Sequence, residues 1–255
     1  MSKLIFGGSK PWPTFTAVDD SIRGGKSTSH WEVGSDNIAK FSGNLDITAL
    51  GGAGFASRSS TFSPRLSFSP SRTAGLLLTF VPPTLPTPST RDMLSVLPPH
   101  TPHRYTLNLK NDEPPHRPDG RRESVTVYEW ELDVRDYEPY VPRGVKEVDE
   151  EKGEKGSGEV TVLARWEDFK ATYRGKDKLD ARPLDPSSIY ELSFMCRSNF
   201  GNQAGDFALD IVSLAEAPRD GRLRQWLALV LQLMHAWKEW LARLLGRRDG
   251  AVRLP

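Results

Sequence analysis

The chain has 255 residues, 34 of them basic and 33 acidic, for a formal net charge of +1. A balance this close argues against a nucleic-acid-binding protein, which usually carries a basic excess. The single cysteine, Cys196, excludes an intrachain disulfide; this argues against a disulfide-built secreted scaffold and fits a reducing compartment.

Two short glycine-rich blocks stand out in the first quarter of the chain. Residues 19–27 read Asp-Asp-Ser-Ile-Arg-Gly-Gly-Lys-Ser, and residues 51–57, after a strand-like run at 41–45, read Gly-Gly-Ala-Gly-Phe-Ala-Ser. Neither completes a nucleotide-binding fingerprint, because Asp20 stands where a P-loop needs glycine and Ser57 where a dinucleotide turn needs its third glycine. We therefore predict no nucleotide site and interpret the second block as a close-packed sandwich turn.

The middle of the chain predicts three further strands. Residues 75–81 contain a continuous apolar run, as in a strand buried on both faces, and residues 105–109 alternate, as in a half-buried strand. Residues 124–134 also alternate, with Glu129 on one side and Trp130 on the other.

Three segments between these strands are predicted to be exposed and partly disordered insertions. Residues 58–72 are rich in Ser, Pro and Arg, residues 82–103 have a proline every few positions, and residues 143–158 are mostly Lys, Glu and Gly. Proline removes donors from a sheet ladder. Segments this polar cannot bury enough surface to offset an ordering entropy of about 1–2 kcal/mol per residue.

A third block, from Trp166 to Asp185, predicts the second half of a sandwich and leads into strand-like runs at 189–195 and 207–214. Cys196 lies beside the first run with no local base, so we expect an inert, buried thiol. Glu167 and Asp168 are adjacent, which would point them to opposite faces; we expect exposed loop charge rather than a catalytic pair.

The hydrophobic pattern of the sequence changes after Pro218, and the pattern of residues 220–248 predicts an amphipathic helix. Asp220 fits an N-cap and Gly246 fits a stop. At 100° per residue one broad face is apolar and is flanked by cations. Its candidate contact residues are Trp226, Val230, Leu233, Trp237, Trp240, Leu241 and Leu244, with Lys238, Arg243, Arg247 and Arg248.

The tryptophans and cations together favour a helix that lies on an anionic membrane surface. Two alternatives are a helix in a partner's groove and a helix docked on the chain's own sandwich. The charges of Lys238 and Arg243 argue against a spanning helix, and no segment has the roughly 18 uninterrupted apolar residues that a membrane span needs.

In this order, the three blocks resemble the complex I intermediate-associated protein 30 family. The resemblance covers roughly residues 12–216, and it implies an all-β fold, a jelly-roll sandwich of the galactose-binding type. The family's best-known members help to assemble mitochondrial respiratory complex I. The resemblance therefore implies a chaperone-like scaffold that binds assembly intermediates of a membrane complex. We expect no catalysis, no cofactor and no metal.

Two basic segments are the candidate partner-binding residues within the sandwich. They are Arg23, Gly24, Gly25, Lys26 and Ser27 in the first block, and Arg174, Gly175 and Lys176 in the third. Related jelly rolls often carry calcium, and Asp19 and Asp20 with Asp206 or Asp210 are a possible oxygen set. We favour turn contacts, or a salt bridge with Arg23, for the first two.

The resemblance implies a mitochondrial location at the inner membrane. The first eleven residues show no Arg-rich presequence, so a cytoplasmic protein at a membrane surface is the alternative. The alternative function is a carbohydrate-binding module, whose aromatic platform would draw on Trp31, Trp130 and Tyr105. We expect these three rings to belong to the core instead.

Overall fold

A computed structural model describes residues 2–83, 101–118, 122–137 and 158–219. These residues form an all-β sandwich, as predicted, with four short 3-10 turns and no α-helix among them. The thirteen strands are β1 Leu4–Gly7, β2 Thr16–Ala17, β3 Thr28–Val33, β4 Ala39–Leu45, β5 Phe55–Leu66, β6 Thr73–Val81, β7 Arg104–Lys110, β8 Val127–Asp133, β9 Val160–Arg165, β10 Lys170–Tyr173, β11 Lys176–Asp177, β12 Ile189–Arg197 and β13 Gly205–Pro218.

The strands pair antiparallel in two sheets. The smaller, six-stranded sheet has the order β3-β4-β13-β6-β9, and β1 also pairs with β13. The larger, seven-stranded sheet has the order β11-β10-β8-β7-β12-β5-β2. Successive side chains of a strand point to opposite faces, so each sheet has an inner face toward its partner and an outer face.

The core lies between the two inner faces and is rich in aromatic rings. Phe41 of the smaller sheet and Phe194 of the larger are almost completely buried. Trp31 stacks on Phe15 and Phe194, with ring centroids 4.0 and 5.5 Å away. Rings of this size bury large apolar areas, and their packing joins the two sheets.

The first predicted insertion is wrong, because residues 58–66 belong to β5. This strand pairs with β12 from Phe55 to Thr61 and again at Leu66, and the register shifts in between. Pro64 falls within that irregular stretch, where proline costs no ladder hydrogen bond. The sandwich also begins earlier than Trp12, because β1 pairs with β13.

The predicted burial of β6 and β7 is reversed. In β6 only Leu76, Leu78 and Phe80 of the apolar run are buried, and Leu77 is half-buried on the outer face. In β7 every residue from Tyr105 to Leu109 is buried. This strand lies in the middle of the larger sheet, where polar neighbours cover its outer side chains.

The chain divides after Pro218. The first unit, residues 1–218, holds both sheets. The second, residues 219–255, includes the predicted helix at 220–248, which lies outside the described residues. Most of the predicted insertions at 82–103 and 143–158 also lies outside them.

Candidate functional site

A buried carboxylate organises the first predicted partner-binding segment. The Asp20 side chain is fully buried and accepts hydrogen bonds from the backbone N–H groups of Ser27 and Phe55, each at 3.0 Å. These are turn contacts, one of the two predicted alternatives; the other, a salt bridge with Arg23, is not among the ion pairs of the described residues. The Arg23 guanidinium lies 5.8 Å from the centre of the Phe55 ring. Asp20 therefore holds two separate chain segments together through main-chain donors.

Asp19 plays a similar role one residue earlier. Its carboxylate accepts hydrogen bonds from the N–H and the hydroxyl of Ser29, at 3.0 and 2.6 Å, and from the N–H of Ser57 at 2.8 Å. Asp206 lies on the smaller sheet, where it accepts from the Nδ2 of Asn44 at 2.8 Å. Within the described ranges, no group of three or more His, Cys, Asp or Glu side chains is placed to hold a metal ion.

The glycines of the first block are required by geometry. Gly24 has φ +85°, in the left-handed region, and ends the 3-10 turn Asp20–Arg23. A Cβ on Gly25 would lie 2.2 Å from the Asp20 carboxyl carbon. Gly24, Gly25 and the buried Ser27 thus build the turn, and Arg23 and Lys26 are its exposed cations.

The second predicted segment is a hairpin turn between β10 and β11. Arg174 and Gly175 have φ values of +53° and +75°, as a two-residue type I′ turn requires. The Arg174 guanidinium lies 5.4 Å from the centre of the Tyr173 ring, and its Nε donates to the Ser124 hydroxyl at 3.3 Å. Arg174 and Lys176 are exposed.

The two predicted segments do not form one continuous surface. The 23–27 segment follows β2, the edge strand at one side of the larger sheet, and the 174–176 turn borders β11, the edge strand at the other side. Six strand intervals of about 4.8 Å separate the two edges along the sheet. Each segment is therefore a separate candidate contact.

A charged network that the sequence analysis missed covers part of the outer face of the larger sheet. Glu129 of β8 pairs with the Nη1 of Arg197 at 2.7 Å and accepts from the Thr172 hydroxyl at 2.8 Å. Glu131 lies 3.6 Å from the Nη2 of Arg197 and 3.8 Å from Arg104. These contacts tie β7, β8, β10 and β12 together across the outer face.

The network continues at the end of β8, around Asp133. This carboxylate contacts Arg135 at 2.6 Å, Arg104 at 3.3 Å and His103 at 3.9 Å. Burial by itself raises the Asp133 pKa, but the hydrogen bonds and charge of Arg135, with a smaller effect of His103, outweigh burial and lower the pKa to about 2. Asp133 is therefore ionised at neutral pH.

A cleft of about 370 Å³ lies in this face, and two polar atoms near it have no partner. Asn108 Oδ1 and Arg197 Nε are buried and make no hydrogen bond within the described part of the chain. Buried polar atoms are nearly always paired, so these two atoms are exceptions within the outer face of the larger sheet. The cleft is lined by Glu129, Trp130, Glu131, Asp168, Lys170, Thr172, Asp177 and Arg197.

The sequence alone predicts only part of this charged outer face. The alternation of β8 correctly separated Glu129 from Trp130. However, Lys170 and Arg197 come from strands 41 and 68 positions further along the chain, and only the register aligns them. The polar side chains of several strands cannot be assigned to one surface before the strand order is known.

The remaining candidates behave as predicted. Cys196 is buried, and burial raises the pKa of its thiol, so the thiol stays protonated. Glu167 and Asp168 are exposed beside the buried rings of Trp166 and Phe169.

The three rings of the carbohydrate alternative pack in or against the core. Tyr105 is buried and donates its hydroxyl hydrogen to the Ala208 carbonyl at 3.0 Å. Trp31 stacks within the core, and Trp130 is half-buried against it.

In the ranges that the structure describes, no helix is both long and apolar enough to cross a bilayer.

Comparison with known proteins finds similarity over most of the chain. An uncharacterized protein of Schizosaccharomyces pombe is 28% identical over 223 residues, which cover 85% of this chain and 84% of that protein. Two structures of a family 11 carbohydrate-binding module from Clostridium thermocellum are similar at 10% and 11% identity, with TM-scores of 0.45 and 0.43. They cover 85% and 86% of this chain and 96% and 95% of the module.

The match to a protein family is more informative. The model of the family described as complex I intermediate-associated protein 30 matches residues 4–80 and 147–211, which include most strands of both sheets. More than half of the chain is covered, and the matched parts include the two basic segments with the turns that present them. The chain therefore belongs to the complex I intermediate-associated protein 30 family.

Proposed function

We propose that this protein is a non-catalytic assembly factor that binds protein intermediates of respiratory complex I. The family match carries the proposal, because it covers strands at both edges and in the middle of the sandwich. The mitochondrial inner membrane is the location that this role requires. A chaperone-like scaffold of this kind needs a stable surface for a partner rather than reacting groups.

The outer face of the larger sheet is the surface that best suits a protein partner. Glu129, Glu131 and Arg197 are already paired in the free protein, so a partner with complementary charges meets a fixed pattern there and orders few side chains on binding. The cleft adds a concave site, with Lys170 and Asp168 exposed at its edge. Arg23 and Lys26 at one sheet edge, and Arg174 and Lys176 at the other, are proposed as further contacts.

We also propose that the predicted helix at 220–248 holds the domain at an anionic membrane. Its three tryptophans and its cations suit the depth of the lipid headgroups. This part of the proposal rests on the sequence pattern. A full-length chain with Trp226, Trp237 and Trp240 changed to Ser should bind anionic vesicles more weakly than the wild type, and equal binding would contradict it.

The assembly role is tested in cells that lack this protein. We expect less mature complex I and more of its smaller intermediates on native gels, and restoration of the mature complex by the wild-type chain. A variant with Asp168→Lys and Lys170→Glu should restore less, because it reverses exposed charges at the cleft. Arg72→Glu, at an exposed position in the connection between β5 and β6, is the matched control and should restore fully.

Normal levels of mature complex I in cells without the protein would contradict the assembly role. The alternative, a carbohydrate-binding module, requires an exposed aromatic platform, and the rings proposed for it are used in or against the core. Specific binding of the purified chain to a glycan array, together with normal complex I, would favour that alternative.

A further inference from the structure

Three connections of the sandwich lie at the same end of the molecule. Residues 18–27 join β2 to β3, residues 46–54 join β4 to β5, and residues 198–204 join β12 to β13. Each connection crosses from one sheet to the other. We call these three connections the crossover end.

The strand registers show that the connections lie at the same end of the two sheets. Leu45, the last residue of β4, pairs with Gly205, the first of β13, in the smaller sheet. Phe55, the first residue of β5, pairs with Arg197, the last of β12, in the larger sheet. Both connections therefore leave and enter the sheets at neighbouring positions.

Direct contacts join the second and third connections. The Ser198 hydroxyl donates to the Gly52 carbonyl at 2.6 Å and accepts from the N–H of Gly54 at 2.9 Å. The first connection meets the same place, since a Cβ on Gly54 would lie 3.2 Å from an oxygen of Asp20.

Large apolar side chains project from all three connections. Ile22 is 76% exposed in the first, Leu50 is 40% exposed in the second, and Phe200 is 86% exposed in the third. Val18 of the first connection is also exposed. More than half of the large apolar side chains exposed in the described residues lie at this one end, which makes it the main apolar surface outside the core.

The backbone holds two of these side chains outward in conformations that normally favour glycine. Leu50 has φ +52° and Phe200 has φ +58°, and Asn199 beside it has φ +46°. A left-handed backbone is a genuine outlier for a bulky side chain and costs free energy. Such outliers persist where the surrounding contacts fix them, and they concentrate at functional positions.

The crossover end has two exposed cations and a half-exposed carboxylate. The carboxylates of Asp19 and Asp20 point inward to main-chain amides, as described above, whereas Arg23 and Lys26 are exposed. Asp46 is half-exposed, and hydrogen bonds from Thr48 and the charge of Lys26 lower its pKa. The outward pattern is therefore apolar tips flanked by the cations of Arg23 and Lys26 and by the carboxylate of Asp46.

We propose that the crossover end inserts its apolar tips into the interface of an anionic membrane. Ile22, Leu50 and Phe200 protrude singly from three adjacent loops, which suits penetration between lipid headgroups better than contact with a flat protein surface. Arg23 and Lys26 complement anionic headgroups at the same depth. This contact is independent of the assembly role and of the predicted C-terminal helix.

Vesicle binding by full-length chains tests the inference. All variants carry Trp226→Ser, Trp237→Ser and Trp240→Ser, so that the predicted helix does not mask the loops. Adding Ile22→Ser, Leu50→Ser and Phe200→Ser should weaken binding to phosphatidylglycerol-containing vesicles by about tenfold or more. The matched control adds Val33→Ser and Leu179→Ser, which are exposed apolar positions outside the crossover end, and should bind as its parent does.

A fluorescent label gives a readout that does not depend on affinity. Cys196 is buried, so a cysteine introduced at position 50 can be labelled selectively with a polarity-sensitive dye. Emission from Leu50→Cys should shift to the blue on vesicles with phosphatidylglycerol, and emission from Val33→Cys, at the opposite end of β3, should not.

Three results would overturn the inference. They are unchanged vesicle binding of the loop variant, equal dye shifts at positions 50 and 33, and no vesicle binding by the parent that carries only the tryptophan changes. A loop variant that binds vesicles normally but fails to restore complex I would assign the crossover end to a protein partner instead.

Discussion

At the scale of single residues, Asp20 shows how a buried carboxylate can stabilise a fold by accepting hydrogen bonds from main-chain N–H groups. Its carboxylate is balanced by two main-chain amides, one of them 35 residues away in the sequence. Because the donor at Phe55 is distant, the sequence alone could not reveal this contact. It did show that an acidic pair, two glycines and a serine lie close together in one block, and the structure explains each of them.

Replacing Asp20 with Ala should lower the free energy of unfolding by about 2–4 kcal/mol, because the N–H groups of Ser27 and Phe55 lose their acceptor. Urea unfolding at neutral pH measures the change. The control is Asp36→Ala, which removes an exposed carboxylate that accepts from the Ile38 N–H and should cost about 1 kcal/mol or less. Equal losses in the two variants would contradict the structural role of Asp20.

At the scale of elements, the sequence predicted strands well where the apolar periodicity was strong. It predicted them poorly where a strand forms mainly because a neighbouring strand supplies its hydrogen bonds. The predicted strands at 75–81, 105–109 and 124–134 each overlap an observed strand. The β5 strand was missed because its Ser and Arg residues lack an apolar pattern. It forms because it pairs with β12 from Phe55 to Thr61 and again at Leu66. Strand propensity of this kind depends on the partner strand rather than on the segment itself.

The Asp133 cluster at the end of β8 gives the protein a pH-dependent contribution to stability. The folded pKa is depressed to about 2, below its ordinary value of 3.8, so the contribution is complete above about pH 4 and is lost as the pH falls to about 2. Replacing Arg135 with Ala should remove most of it, because the guanidinium contacts are lost while the backbone N–H of residue 135 still donates to Asp133. We expect a loss of about 1–2 kcal/mol at neutral pH, since Arg135 is about half exposed and solvent screens the pair.

The measurement is the free energy of unfolding of wild type and Arg135→Ala at several pH values. The difference between them should stay constant from neutral pH down to about pH 4 and shrink toward about pH 2. Arg117→Ala is the control, because Arg117 and Glu123 form a pair in which both side chains are over 40% exposed. A constant Arg135→Ala difference throughout the acid range would contradict the assignment to Asp133.

At the scale of the whole molecule, the two sheets are joined by a core in which Phe194 touches rings from several strands. Its ring centroid lies 5.5 Å from that of Trp31, 5.9 Å from Phe15 and 6.5 Å from Phe41. Replacing Phe194 with Ala should lower the free energy of unfolding by about 3–5 kcal/mol. Urea unfolding followed by tryptophan fluorescence measures the loss.

Phe200→Ala is the matched control, since it deletes the same ring from a position that is 86% exposed. It should change the free energy of unfolding by about 0.5 kcal/mol or less. A cost for Phe200→Ala that approaches that of Phe194→Ala would mean that Phe200 packs against the fold, and would also contradict its role as an exposed membrane contact.

At this scale the all-β architecture and the family could be predicted, because the three sequence blocks occur in an order that indicates both. The binding surfaces could be predicted only in part. The sequence grouped Arg23 with Arg174 as basic segments, and the strand order separates them to opposite sheet edges. The charged outer face and the crossover end arise from residues distant in the chain, which only strand register brings together.

The position of β13 has a consequence for how the protein is made. This strand pairs with β1, β4 and β6, all of which lie at least 120 residues before it, so it completes the smaller sheet last. During translation, a long stretch of the chain therefore leaves the ribosome before β13 does. The apolar inner faces of the early strands stay exposed until β13 can pair with them. Folding of this domain is expected to follow translation of residue 218 rather than accompany it, and holding factors that shield the early strands should raise its yield.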